Sequence, residues 1–66
     1  MSEHLLDYDQ VAMRLSVTRR TIVRHLPSLK ANGLQQVNFG KRGVRFRAAS
    51  LDRMIERAAE REEAIF

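Results

Sequence analysis

Nine cationic side chains fall between residues 10 and 51, namely Arg14, Arg19, Arg20, Arg24, Lys30, Lys41, Arg42, Arg45 and Arg47, and no carboxylate falls among them. Before that stretch come Glu3, Asp7 and Asp9; from Asp52 onward, five acids are mixed with three arginines. The net charge of +4 conceals this partition. Like charges crowded into a small domain repel one another, so stability does not favour a one-signed block. A polyanion laid across it would release counterions and gain affinity. A basic surface kept for solubility alone is the plainer alternative.

What such residues can do depends on where they point. In Thr18-Arg19-Arg20-Thr21-Ile22-Val23-Arg24, helical spacing turns Ile22 inward and leaves Arg19, Arg20, Val23 and Arg24 toward solvent. An arginine so placed can donate two parallel bonds to O6 and N7 of a guanine, a contact worth about 1–3 kcal/mol of discrimination. Thr18 and Thr21 suit phosphates or a thymine methyl, and Val23 suits an apolar base edge. The second group is Gly40-Lys41-Arg42-Gly43. Its flanking glycines allow a tight turn that carries Lys41 and Arg42 away from the body, to grip phosphates or enter the minor groove with Arg45 and Arg47 behind them. The plainer readings are a solvated helix face and a surface hairpin whose charges prevent edge pairing.

Four elements must position these groups. Asp7-Tyr8-Asp9-Gln10 has the form of a capping box, and Tyr8, Val11, Ala12 and Leu15 follow at helical spacing, which predicts a helix over about 8–15. Ser16 and Val17 interrupt it, and Thr18 caps a second helix over about 19–26, with Ile22 and Leu26 inward and Pro27 as its stop. Residues 28–35 read as a connector in which Leu29 packs inward and Asn32-Gly33 turns the chain. Alternating residues on either side of the glycine-flanked turn predict a β-hairpin over about 36–47, with Val37, Phe39, Val44 and Phe46 on its buried face and Asn38, Arg45 and Arg47 on the other. Leu51, Met54, Ile55 and Ala58 predict a last helix over about 49–63, whose outer face, Arg53, Glu56, Arg57, Glu60 and Arg61, offers mixed charge pairs.

At 66 residues only one domain fits, spanning 1–66, and it buries only about 60% of the surface its unfolded chain would expose. With no cysteine there is no disulfide framework, zinc-thiolate site or thiol nucleophile. Its two histidines, His4 and His25, do not make a metal site; His25 reads as a partly buried helix residue or phosphate donor. The serines and histidines form no nucleophile and base arrangement, so the expectation is no enzyme, no cofactor and no small-molecule substrate. Met1–Leu6 lacks the basic flank and apolar run of a secretion signal, and no stretch reaches the ~20 apolar residues of a membrane span. The expected setting is the cytoplasm.

Leu5-Leu6-Asp7-Tyr8-Asp9-Gln10-Val11-Ala12, followed by Leu15-Ser16-Val17-Thr18-Arg19-Arg20-Thr21-Ile22, resembles the excisionase-type branch of the MerR-like winged helices. The resemblance extends over Gly40-Lys41-Arg42-Gly43-Val44-Arg45-Phe46, similar to that family's wing, and Ala49–Ile55, similar to the start of its last helix. It departs from the family pattern in three places. Ser16 stands where glycine is usual, His25 stands where an apolar residue is common, and the connector with Pro27 is longer. The implied fold is a small α+β winged helix-turn-helix, ordered helix, helix, hairpin (wing), helix. The implied DNA-binding residues are Thr18, Arg19, Arg20, Thr21, Val23, Arg24, Lys41, Arg42 and Arg45.

The resemblance implies a recombination directionality factor: a protein that binds and bends double-stranded DNA beside a phage attachment site and turns an integrase toward excision. In a bacterial host it would sit on the nucleoid when bound. Copies could associate side by side on DNA or through the last helix. Ile65 and Phe66 suit either docking on the integrase or a neighbouring copy, or folding back onto the core. A small transcriptional regulator of the same fold is the second reading, and would usually bind an inverted repeat as a dimer. RNA binding or a pure protein-interaction role comes third, since the strand aromatics are needed for the core rather than for base stacking.

Overall fold

A computed structural model describes residues 4–66; the reading of Met1–Leu6 as free of a leader lies partly outside the described residues. The first helix, α1 (Tyr8–Arg14), starts where its capping box places it: the Gln10 amide donates to Asp7 Oδ1 at 2.8 Å and the Asp7 amide donates to Gln10 Oε1 at 2.9 Å. Val11 and Ala12 form its buried side. The chain leaves α1 through Leu15 and then Ser16, which holds a left-handed φ of 58°. Thr18 opens α2 (Arg19–Arg24) by accepting a bond from the Thr21 amide at 3.3 Å.

The connector is more ordered than its composition suggests. His25 is a junction, and a further short helix, α3 (Leu26–Ala31), follows at once. Helix α2 therefore ends at Arg24 rather than near residue 26. Pro27 lies in the first turn of α3, where its missing N–H leaves no bond unmade and its fixed φ favours the helix. It closes one helix by starting the next. Leu29 from α3 and Leu34 beyond Gly33 are both buried.

Three strands form an antiparallel sheet in the order β1-β3-β2, with β1 Leu5–Leu6, β2 Gln36–Asn38 and β3 Val44–Arg47. Strand β1 has no signature in the sequence, because two residues display no periodicity. Its pairing of Leu5 with Arg47 and Leu6 with Phe46 places it on the outer edge of β3. The β2–β3 register is Gln36 with Phe46, Val37 with Arg45 and Asn38 with Val44. This corrects the expected hairpin faces. Val44 and Phe46 do lie opposite Arg45 and Arg47 on β3, but Val37 shares the face of Arg45, and Asn38 shares that of Val44. The cause is the turn. Phe39 N donates to Gly43 O at 2.8 Å around a single 3-10 turn of three residues, Gly40–Arg42, so same-parity residues face one another. Placing Val37 and Phe39 beside Val44 and Phe46 would need an even-numbered loop, and a shift of one residue turns every side chain of a strand over. Phe39 is consequently 45% exposed.

The last helix, α4, runs Ala48–Arg61, starting and ending slightly before the expected 49–63, and stops at Glu62 in a left-handed conformation. Buried Ser50 ties it to the sheet, donating to Arg47 O at 2.7 Å and accepting from the Gln35 amide at 3.0 Å. Phe46, Leu6, Val11, Ile22, Leu29, Leu34, Leu51 and Met54 close into one core. Tyr8 meets Phe46 edge to face, ring centroids 5.2 Å apart. The result is a small α+β domain with helices, a three-stranded sheet and a C-terminal helix in a winged helix-like arrangement. Among the described residues, no helix is long and apolar enough to cross a membrane.

Candidate nucleic-acid interface

Helix α2 is aimed from below by Ile22, which is fully buried, and from its start by the Thr18 cap. At ~100° per residue, Arg19, Val23, Arg20 and Arg24 follow one another across the opposite side, with Val23 between the arginines. All four are exposed, Val23 at 54%. Arg20 and Arg24 pair with no carboxylate among the described residues. Arg19 is more engaged: its guanidinium lies 5.4 Å from the centre of the Tyr8 ring and 3.8 Å from Asp9 Oδ2. The acid-free stretch of sequence is thus not acid-free in space, because the first turn of α1 brings Asp9 against the start of α2. Thr18 and Thr21 hold each other, Oγ1 to Oγ1 at 3.0 Å, with Thr21 half-buried. Their hydroxyls shape the helix start as well as bordering its surface.

Lys41 and Arg42 are exposed on the 3-10 turn, between Gly40 at φ 66° and Gly43 at φ 90°. Those backbone conformations are open to glycine at little cost and strain most other residues. The Asn38 side chain braces the turn by accepting from the Gly40 amide at 2.8 Å. Arg45 is half-buried and donates from Nη1 to its neighbour's carbonyl, Val44 O, at 2.8 Å. Arg47 donates to Gln35 Oε1 at 2.8 Å. Arg14, at the end of α1, is bound to Asp52 of α4 at 3.0 Å and is spent on holding two helices together.

The start of α1, joined by Arg19 of α2, faces the hairpin across an open cleft. One wall is Asp7, Tyr8, Asp9 and Arg19, and the other is Arg42, Gly43, Val44 and Arg45. Arg19, Arg42 and Arg45 are therefore brought together, while Arg20, Val23 and Arg24 lie along the outer face of α2 beyond the cleft. Phe39 was missed as a surface residue. The signal available was loop parity: counting Gly40–Arg42 as a three-residue turn, rather than Gly40–Gly43 as a four-residue one, turns Phe39 outward.

Elsewhere, His25 is half-buried at the α2–α3 junction, its ring 5.1 Å from that of Phe66. Asn32 donates to Ile65 O at 2.8 Å, and Ile65 packs against the core. Residues 65 and 66 thus fold back over α3. Comparison with family models, curated proteins and solved structures finds no significant match to this chain.

Proposed function

We propose that the protein binds double-stranded DNA sequence-specifically as an architectural factor of the excisionase type, bending DNA near a phage attachment site and directing an integrase toward excision. What supports this reading is the cleft that Arg19 of α2 borders together with Arg42 and Arg45 of the hairpin: three arginines outnumber the two carboxylates on its rim, Asp7 and Asp9, and the start of α2 faces the hairpin across it. A helix fits the major groove, and a basic hairpin beside it falls on the flanking phosphates or minor groove. On this reading Arg20, Val23 and Arg24 meet base edges. Thr18, Thr21, Arg19, Lys41, Arg42 and Arg45 hold the backbone. Bending costs a few kcal/mol of elastic energy, which the added backbone contacts offset.

The protein would act in the cytoplasm, without cofactor or metal and without catalysis of its own. Ile65 is taken up by the core and Phe66 rests on His25, which leaves the charged outer face of α4 as the surface for an integrase or a neighbouring copy. Selection of bound duplexes from a random pool at moderate salt tests the proposal. Directly repeated short sites about one helical turn apart are the expected outcome. An inverted repeat would favour a transcriptional regulator instead, and no retained duplex even at low salt would overturn DNA binding altogether.

A further inference from the structure

Phe39 stands half out of the hairpin, beside Arg42 and Arg45. The cleft that Arg19 borders and a second depression both use Arg42 and Arg45; the second is completed by Phe39 and Leu5. The two arginines form a ridge with the proposed DNA cleft on one flank and an aromatic ring on the other. Among the described residues, no acid lines this second depression. An exposed phenyl group gains nothing from water, and here it sits where a cationic pair would already have drawn in a polyanion. The apolar surfaces of DNA next to phosphates are the deoxyribose rings and base edges of the minor groove. Apolar side chains pressed there part base steps and kink the duplex.

We infer that Phe39 is an apolar wedge of the hairpin, packing into the minor groove of the same duplex held by Arg42 and Arg45 and setting how far that duplex bends. This rests on the DNA-binding reading and adds to it a residue and a mechanical role. The ring owes its position to the odd-numbered turn.

The chain contains no tryptophan, so Phe39→Trp introduces a single indole at the site, and Phe66→Trp, at the other exposed aromatic, serves as its reference. Each variant is titrated with an end-labelled duplex recovered from the random pool, binding being followed independently by anisotropy of the label. The expected result is that duplex shields the indole of Phe39→Trp from iodide several-fold and leaves that of Phe66→Trp unchanged. Phe39→Ala, and to a lesser degree Phe39→Leu, should weaken binding about fivefold, as losing half of a buried phenyl predicts. Energy transfer between labels on the two duplex ends should fall toward that of straight DNA while sequence preference is kept. Binding with an unshielded indole and an unchanged bend overturns the role of Phe39 alone. No binding by the unaltered chain overturns the DNA-binding reading and the wedge with it.

Discussion

Helices α2 and α4 both turn arginines to solvent, yet they differ in what stands beside those arginines and in how firmly each helix is held. On α2 the outer face is Arg19, Arg20, Val23 and Arg24, with no acid in the helix; on α4, Arg53, Arg57 and Arg61 are interleaved with Glu56 and Glu60. No ion pair closes on that α4 face among the described residues, so its neutrality comes from alternation rather than bonding. Helix α4 spans 14 residues and is anchored by Ala48, Ser50, Leu51 and Met54, whereas α2 spans 6 and is anchored by Ile22. The long helix is held by four buried residues and carries balanced charge on its outer face. On the proposed reading, a short helix whose Arg20 and Arg24 pair with no carboxylate among the described residues is positioned for something outside the fold.

The largest effect should come from removing the single anchor. Ile22→Ala leaves a cavity under α2 and should cost about 2–5 kcal/mol, a large share of the stability available to a domain this small. Ile55→Ala, on the half-buried flank of α4, should cost about half as much. Urea unfolding of the two variants measures both, and equal losses would break the contrast in anchoring.

Next comes the charge itself. Arg20→Ala should lower the preference for selected over random duplex by about 1–3 kcal/mol, while Arg57→Ala should leave both affinities unchanged. Competition binding with the two duplexes separates the terms. A matching loss in Arg57→Ala would show that overall charge, not the face of α2, governs binding.

Local signals were the most legible in the sequence. The Asp7–Gln10 box and the Thr18 cap each depend on residues three positions apart, and both form as their types dictate. The outward face of α2 follows from helical period alone. What the sequence did not disclose required knowledge of a partner segment. Strand β1 exists because β3 offers it an edge, and the facing of Val37 depends on how Gly40–Arg42 closes. Pro27 shows the ambiguity of a breaker, since the property that stops one helix also favours the start of another. Asp9 beside Arg19 is a tertiary contact that the linear charge count could not contain.

The hairpin provides a third term between the two helices. Lys41 is exposed at its tip, and a phosphate contact there carries no sequence information. Lys41→Ala should weaken selected and random duplexes alike, by about 1 kcal/mol, and lower the slope of log affinity against log salt by about one unit. A change in sequence preference without a change in slope would move Lys41 into the same class as Arg20.

The smallest effects test how the two helices are terminated. Ser16 precedes α2 at φ 58° and Glu62 follows α4 at φ 53°, so each holds a side chain in the left-handed region. That conformation costs a typical L-residue about 1–2 kcal/mol, and glycine recovers part of this after its own entropy loss on folding. Ser16→Gly and Glu62→Gly should each raise stability by about 0.5–1 kcal/mol, read from thermal melts. The informative difference is in binding. Glycine at residue 16 keeps the turn that aims α2, so specific affinity should be unchanged despite the gain in stability. If Ser16→Gly instead weakens specific binding while Glu62→Gly does not, the serine is holding α2 at its working angle, and the strain at that turn belongs to the interface rather than to the fold.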